Sequence, residues 1–167
     1  MKRCYNCKDK KLVVTSVELD RKIGRRTFKT KVAATRCASC GEETYAGNEL
    51  AAFDLSVAGE LARHGEISPE AFGFMRRALG MRALELAELM DVTNETISRW
   101  EHGKQSLDHR AVALLASIVL DRLEGRTTTL DRMKALLKPE PLPRLVHLVP
   151  RPARRRAVHQ GRLGDAR

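Results

Sequence analysis

Two constellations in the chain have residue types and spacings suited to chemistry. The first is a pair of Cys-x2-Cys steps, Cys4 with Cys7 and Cys37 with Cys40, with 29 residues between them. A two-residue spacer lets both sulfurs of a tight turn face one ion while backbone amides stabilise the thiolate charge, and tetrahedral zinc takes four such ligands. Two turns of this kind at the ends of a strand pair can meet at a single metal. Gly41, directly after the second pair, suits a tight knuckle. Four protein ligands leave no position open for water, so Cys4, Cys7, Cys37 and Cys40 are expected to hold one structural Zn2+ per chain. A core this small and polar is not expected to fold without its metal. A thioredoxin-like dithiol would need a Cys-x-x-Cys opening a helix within a β-α-β pattern, and neither pair precedes a helical period. Two disulfides would fit a secreted chain.

The second constellation is NETISRWEHGK, Asn94 to Lys104, where Thr, Ser and Arg stand beside the lone tryptophan before a glycine stop. It follows the helical run ELAELM and a short turn at Asp91 and Val92, with Thr93 as cap. That turn length sets two helices at the steep angle of a helix-turn-helix, whose second helix lies in the major groove of DNA. Leu84, Ala87, Val92, Ile97 and Trp100 are expected to face inward. Asn94, Glu95, Thr96, Ser98 and Arg99 are left to face out. Arg99 suits bidentate pairing with guanine, and Asn94 suits adenine or a phosphate. The plainer alternative is an amphipathic helix whose polar face is merely solvated.

The elements that must position these residues follow from periodicity. Leu12 to Leu19 and Arg26 to Arg36 alternate as strands, with Asp20 to Gly24 as the turn, and Glu42 to Gly47 supplies a third strand. From Asn48 the period is helical as far as His64 and Gly65, read as a helical linker over 48–67. Ser68 and Pro69 then cap and start another helix. Helices are predicted at 69–79, 83–90, 94–102, 109–123 and 129–137, with Gly80 and Gly103 as stops. The fold class is therefore α+β: a small Cys4 zinc-binding β domain over 1–47, then an all-α helix-turn-helix and dimerisation domain of about five helices over 68–137. Helix 109–123 is apolar on most sides through Val112, Leu114, Leu115, Ile118, Val119 and Leu123, which suits a buried helix that is also a dimer seam. Such a seam would set two recognition helices about one DNA turn apart.

Charge refines this division. Residues 1–50 carry 12 Lys and Arg against 6 Asp and Glu, 51–137 carry 11 against 13, and 138–167 carry 8 against 2. The formal charge of +10 thus sits at the two ends, and the middle must dock through a specific surface and not through bulk charge. Four thiolates around Zn2+ reduce the N-terminal excess of +6 to about +4. Arg21, Lys22, Arg25 and Arg26 form its most concentrated basic cluster. Residues 138–167 hold five of the six prolines and are expected to be a disordered basic tail, in which Arg151, Arg154, Arg155 and Arg156 are either solvated or track phosphates. His64, His102, His109, His147 and His159 have no ligand spacing to the cysteines. Without an apolar run of about 18 residues or an apolar N-terminal stretch, the chain is expected to be soluble, cytoplasmic and free of the membrane. It has no paired catalytic carboxylates, nucleophile motif or phosphate-cradling glycine loop, so it is not expected to be an enzyme.

The run LGMRALELAELMDVTNETISRWEHGK resembles the Cro/C1 (XRE) helix-turn-helix family through LAELM and ISRWEHG, over about residues 69 to 123. The resemblance implies that Glu101 forms an internal ion pair with an arginine of the first helix, for which Arg76 is the candidate, and that Trp100 is core. Three positions depart from the pattern: Arg82 for a capping serine, Ala83 for a phosphate-touching glutamine, and Asp91 for the turn glycine. Arg82 and Lys104 are the candidate phosphate contacts. Joined to the Cys4 module, residues 1 to about 137 resemble the MqsA-type antitoxins, with a YgiT-type zinc finger before the helix-turn-helix. That resemblance implies a homodimer that binds an operator in double-stranded DNA, represses its own operon and neutralises a ribonuclease toxin bound through the zinc domain. It also implies that Arg99 reads bases and that Glu95 stands in place of a contacting asparagine, which would accept from cytosine. A stand-alone transcriptional regulator without a toxin partner is the alternative.

Overall fold

The computed structural model describes residues 3–45, 47–141 and 143–149. Strands β1 (Leu12–Ile23), β2 (Arg26–Cys37) and β3 (Glu43–Tyr45) precede helices α1 (Gly47–Arg63), α2 (Pro69–Ala78), α3 (Ala83–Met90), α4 (Asn94–Glu101), α5 (His109–Leu123) and α6 (Thr128–Leu137). The α+β class is as expected.

The three strands form one antiparallel sheet in the order β1-β2-β3. The β1–β2 hairpin is longer than the alternation suggested: pairing continues from Leu12 with Cys37 to Ile23 with Arg26. The turn is therefore Gly24–Arg25 and not Asp20 to Gly24. Gly24 has φ +56 and Arg25 is not left-handed, which is the arrangement of a two-residue II′ turn with glycine first. The sequence DRKI stays in the ladder because parity gives each of its side chains a consistent face. Val17, Leu19, Arg21 and Ile23 share one face with their partners Val32, Thr30, Phe28 and Arg26. That face meets the helices, and Leu19 and Val32 join the same buried cluster as Phe53, Val57, Phe72 and Leu115.

Helix α1, expected as a linker, contributes Phe53, Val57, Ala58 and Leu61 to the core. It runs close to α5 at Gly59, where an added Cβ would lie 2.2 Å from Leu123 Cδ1. The remaining helices begin and end within a residue or so of expectation. Ser68 caps α2 by accepting from the Ala71 N–H, with Pro69 at the first helical position. Helix α5 buries Val112, Leu115, Ile118 and Val119 within its own chain. Its apolar circumference is thus largely explained by α1, α2 and α6 packing around it, leaving Leu114 as the exposed member of the expected seam. No described helix is long and apolar enough to cross a membrane. The described tail residues 138–141 and 143–149 form neither helix nor strand. The arginine cluster Arg151, Arg154, Arg155 and Arg156 and His159 lie outside the described residues.

Candidate metal centre and nucleic-acid interface

The two cysteine pairs come together as a matched pair of knuckles. In the first, the Lys8 N–H donates to the Cys4 carbonyl at 3.0 Å and the Cys4 N–H to Asp9 at 2.8 Å. In the second, Gly41 donates to Cys37 and Cys37 to Glu42, both at 2.9 Å. Each knuckle thus turns through a left-handed residue directly after its second cysteine, Lys8 with φ 62 and Gly41 with φ 75. The glycine is visible in the sequence; its lysine counterpart carries no such mark. The knuckles are tied to each other by the Ala38 N–H donating to the Lys11 carbonyl at 2.9 Å and by the Ser39 hydroxyl donating to the Asp9 carboxylate. That hydroxyl, together with the Lys11 N–H, holds Asp9 below the usual carboxylate range.

Within this frame Cys4 and Cys40 place their sulfurs 3.6 Å apart, Cys7 and Cys37 place theirs 3.5 Å apart, and all four lie within 4.8 Å of one another. A tetrahedron of thiolates at ordinary zinc–sulfur distances has an edge of about 3.8 Å, so the donor set fits a four-coordinate ion. Backbone N–H groups of Cys40 and Ser39 bring the Cys37 thiol down to about 7. At Cys7 the Asp9 N–H acts downward, but the crowding sulfurs of Cys37 and Cys40 carry it up to about 12. Four sulfurs packed this closely cannot all ionise alone, whereas a divalent cation deprotonates its thiol ligands outright. Cys4 and Cys37 are buried and Cys7 and Cys40 exposed. The cluster can hold a metal ion.

The basic cluster near the hairpin turn is less available than its composition implied. Arg21 Nε donates to Asp54 at 2.8 Å while its guanidinium lies over the Phe53 ring, and Arg26 pairs with Glu66 at 2.5 Å. Both arginines lie on the sheet face that meets the helices, which is why they find these partners. Lys22 and Arg25 are exposed, as is Arg26 despite its pairing with Glu66.

The second site is built on α2, α3 and α4. Arg82 precedes α3; its N–H donates to Glu85 Oε2 at 2.7 Å and its Nε to Oε1 at 3.1 Å. Glu85 thereby satisfies the N–H of the residue before the helix, while Arg82 makes no side-chain cap of the kind a serine would; the Arg82 N–H holds the Glu85 carboxyl below the usual range. Between α3 and α4, Asp91 adopts φ 52 and ψ 47, the left-handed turn for which glycine is the ordinary choice. Thr93 then caps α4, its hydroxyl accepting from the Thr96 N–H at 3.1 Å.

Helix α4 buries Ile97 and Trp100 and exposes Asn94, Glu95, Ser98 and Arg99. Trp100 meets Phe72 edge to face at 5.8 Å. Its indole Nε1 is buried with no hydrogen-bond partner among the described residues. Thr96 is half-buried, and its hydroxyl lies 2.9 Å from that of Thr93, so it serves the cap as well as the outer face. Arg99 Nη2 donates to Glu95 Oε1 at 2.7 Å, one helical turn away. Lys104 is exposed beyond the helix end, its N–H donating to the Arg99 carbonyl at 2.8 Å. The inward set needs one correction: Leu84 is 51% exposed and Leu86 is buried in its place. With apolar residues at 84, 86, 89 and 90, α3 offers more than one apolar stripe, and periodicity alone does not choose between them.

Arg76 reaches Glu101 through two bonds, Nε to Oε1 at 2.6 Å and Nη2 to Oε2 at 2.9 Å, while its Nη1 donates to the Met81 carbonyl at 2.6 Å. This pair locks the end of α4 to α2 and to the loop that opens α3. Gly73 permits the approach, since a Cβ there would lie 3.3 Å from the Glu101 carboxyl carbon.

No curated protein and no solved structure matches the chain. Residues 74–118, from the middle of α2 into α5, match the family model described as helix-turn-helix, of the Cro/C1 type. With this match and an outward polar face on α4, that segment is the helix-turn-helix of a DNA-binding transcription regulator.

Proposed function

We propose that the chain is a sequence-specific repressor that binds a palindromic operator as a homodimer, and that it is the antitoxin of a type II toxin–antitoxin pair. Residues 1–47, folded around one structural Zn2+ on Cys4, Cys7, Cys37 and Cys40, bind and neutralise a ribonuclease toxin. Residues 68–137 bind the operator and set the dimer. The observation that carries the DNA half is the division of α4, with Ile97 and Trp100 hidden and Asn94, Glu95, Ser98 and Arg99 exposed across a short turn from α3. In this reading Arg99 contacts guanine, Asn94, Thr96 and Ser98 line the groove beside it, and Lys104 and Arg82 meet phosphates. Arg99→Ala is expected to cost about 1–3 kcal/mol of operator affinity and to relax the preference at one position. An equal loss on every sequence would make Arg99 a phosphate contact instead.

A second reading, a stand-alone regulator whose zinc module serves only the shape of the protein, draws support from the ion pairs of Arg21 with Asp54 and Arg26 with Glu66. They turn part of the basic module toward its own helices. Expression of the chain beside its neighbouring reading frames separates the two: the antitoxin reading requires a small ribonuclease that copurifies with it and is inhibited by it.

A further inference from the structure

The outward face of α4 has a carboxylate at its centre. At about 100° per residue, the direction midway between the buried Ile97 and Trp100 is opposed to within about 10° by Glu95, whereas Arg99 lies about 50° to one side. Glu95 and Arg99 are joined by the 2.7 Å bond between Oε1 and Nη2, with side chains 69% and 53% exposed. Glu95 Oε2 has no partner among the described residues, and neither do Arg99 Nε and Nη1. A carboxylate oxygen left unpaired and presented to DNA is repelled by phosphates, so in the middle of a docking face Oε2 needs a donor beyond the one that Arg99 gives Oε1. In the major groove the base that offers only a donor is cytosine, through its N4 amine, while guanine offers the N7 and O6 acceptors that fit a guanidinium.

We propose that Glu95 is a specificity-determining residue: it accepts from the N4 amine of a cytosine and at the same time presents Arg99 to a neighbouring guanine, so that the two side chains read one C/G step as a unit. This rests on the DNA-binding role assigned to α4 above. The pairing takes one of the two Nη2 hydrogens, so one bidentate edge of the guanidinium stays open for the base.

The test is selection of binding sites from a random double-stranded DNA library by the full chain and by its Glu95→Gln, Glu95→Ala and Arg99→Ala variants. Wild type is expected to enrich a half-site with a cytosine next to a guanine. Glutamine prefers adenine, so Glu95→Gln is expected to replace that cytosine by adenine while keeping the guanine, and to lose about five- to thirty-fold in affinity for the wild-type site. Glu95→Ala should relax the cytosine position and weaken the guanine preference as well, since Arg99 loses its support. A carboxylate in the first turn also favours a helix N-terminus. If that is its whole role, Glu95→Gln shifts the melting temperature and leaves the selected sequence unchanged, which overturns the proposal alone. Failure of the wild type to enrich any sequence overturns the DNA reading and this proposal together.

Discussion

At the scale of single residues, the charges of Arg76 and Glu101 are tightly constrained, each side chain only 11% exposed. Desolvation of two such groups costs more than an exposed pair returns, so the arrangement holds only because every bond is made. The guanidinium uses both its edges, one on the Glu101 carboxylate and one on the Met81 carbonyl. Glu101→Ala therefore leaves a largely buried cation with one neutral acceptor and is expected to cost about 3 kcal/mol. It should appear in urea unfolding as a lower midpoint at unchanged slope, with helix content preserved before the transition. An exposed pair would behave differently: Glu95 and Arg99, both open to solvent, should contribute less than about 1 kcal/mol to stability. Trp100 and the Arg76–Glu101 pair were legible through the ISRWEHG resemblance, because residues 25 apart leave no periodic trace of their contact. The Glu95–Arg99 pair needed no resemblance, since a spacing of four on a helix is itself the signal. Leu84 shows the opposite case, where the residue types around α3 left its buried stripe undecided.

At the scale of elements, the turn from α5 to α6 depends on a carboxylate that sequence reasoning passed over. Asp121 is buried near the end of α5 and accepts at Oδ2 from the Thr129 N–H at 2.7 Å and from the Thr129 hydroxyl at 2.8 Å. Arg126 approaches its other oxygen at 3.3 Å. Asp121 thus satisfies a donor in the first turn of α6, a task its partner, eight residues ahead, gives no local sign of. These bonds, the Thr129 N–H first, hold its carboxyl below the usual value. A depressed carboxylate contributes stability above its unfolded-state value, near pH 4, and loses that contribution as pH falls through the lower folded-state value. Asp121→Asn should therefore melt below wild type at pH 7, and the two melting curves should converge on acidification below about pH 4. A difference independent of pH would mean that the carboxylate's charge does not matter there. The β hairpin shows how much an element can carry that composition hides. The four basic residues Arg21, Lys22, Arg25 and Arg26 looked like one patch. Strand parity and register instead send Arg21 and Arg26 to the helix-facing side of the sheet, where they pair with Asp54 and Glu66 although Arg26 stays largely exposed. The parity is present in the sequence from Val17 onward, but the position of the turn decides it: Gly24 opens a two-residue turn and does not close a five-residue one.

At the scale of the whole molecule, the sheet that carries the cysteine knuckles and helix α4 pack into one continuous apolar cluster. Leu19 and Val32 of the sheet share it with Phe53 and Leu61 of α1, and these with Phe72, Ile97 and Trp100 around the helix-turn-helix. The knuckles lie at the Cys37 end of the hairpin, and the helix-facing arginines lie toward its turn. A small sheet with few apolar residues would have little to hold it without an ion shared by four thiols that all lie within 4.8 Å of one another, since a metal's binding energy is folding energy for such a module. If the sheet opens, α1 loses the cover that Leu19 and Val32 give it, each side chain representing about 1.5–3 kcal/mol of burial. Chelation is therefore expected to reach beyond the cysteines. Circular dichroism of the chelated chain should show the helical signal melting roughly 5–15 °C lower than in the zinc-loaded chain, and limited proteolysis should cut first within residues 3–45. A Cys37→Ser variant should reproduce both effects without a chelator. Were the helices to melt at an unchanged temperature while the sheet became accessible to protease, the contact through Leu19 and Val32 would carry no energy. The Cys4 module would then influence α4 only through a partner that it bound.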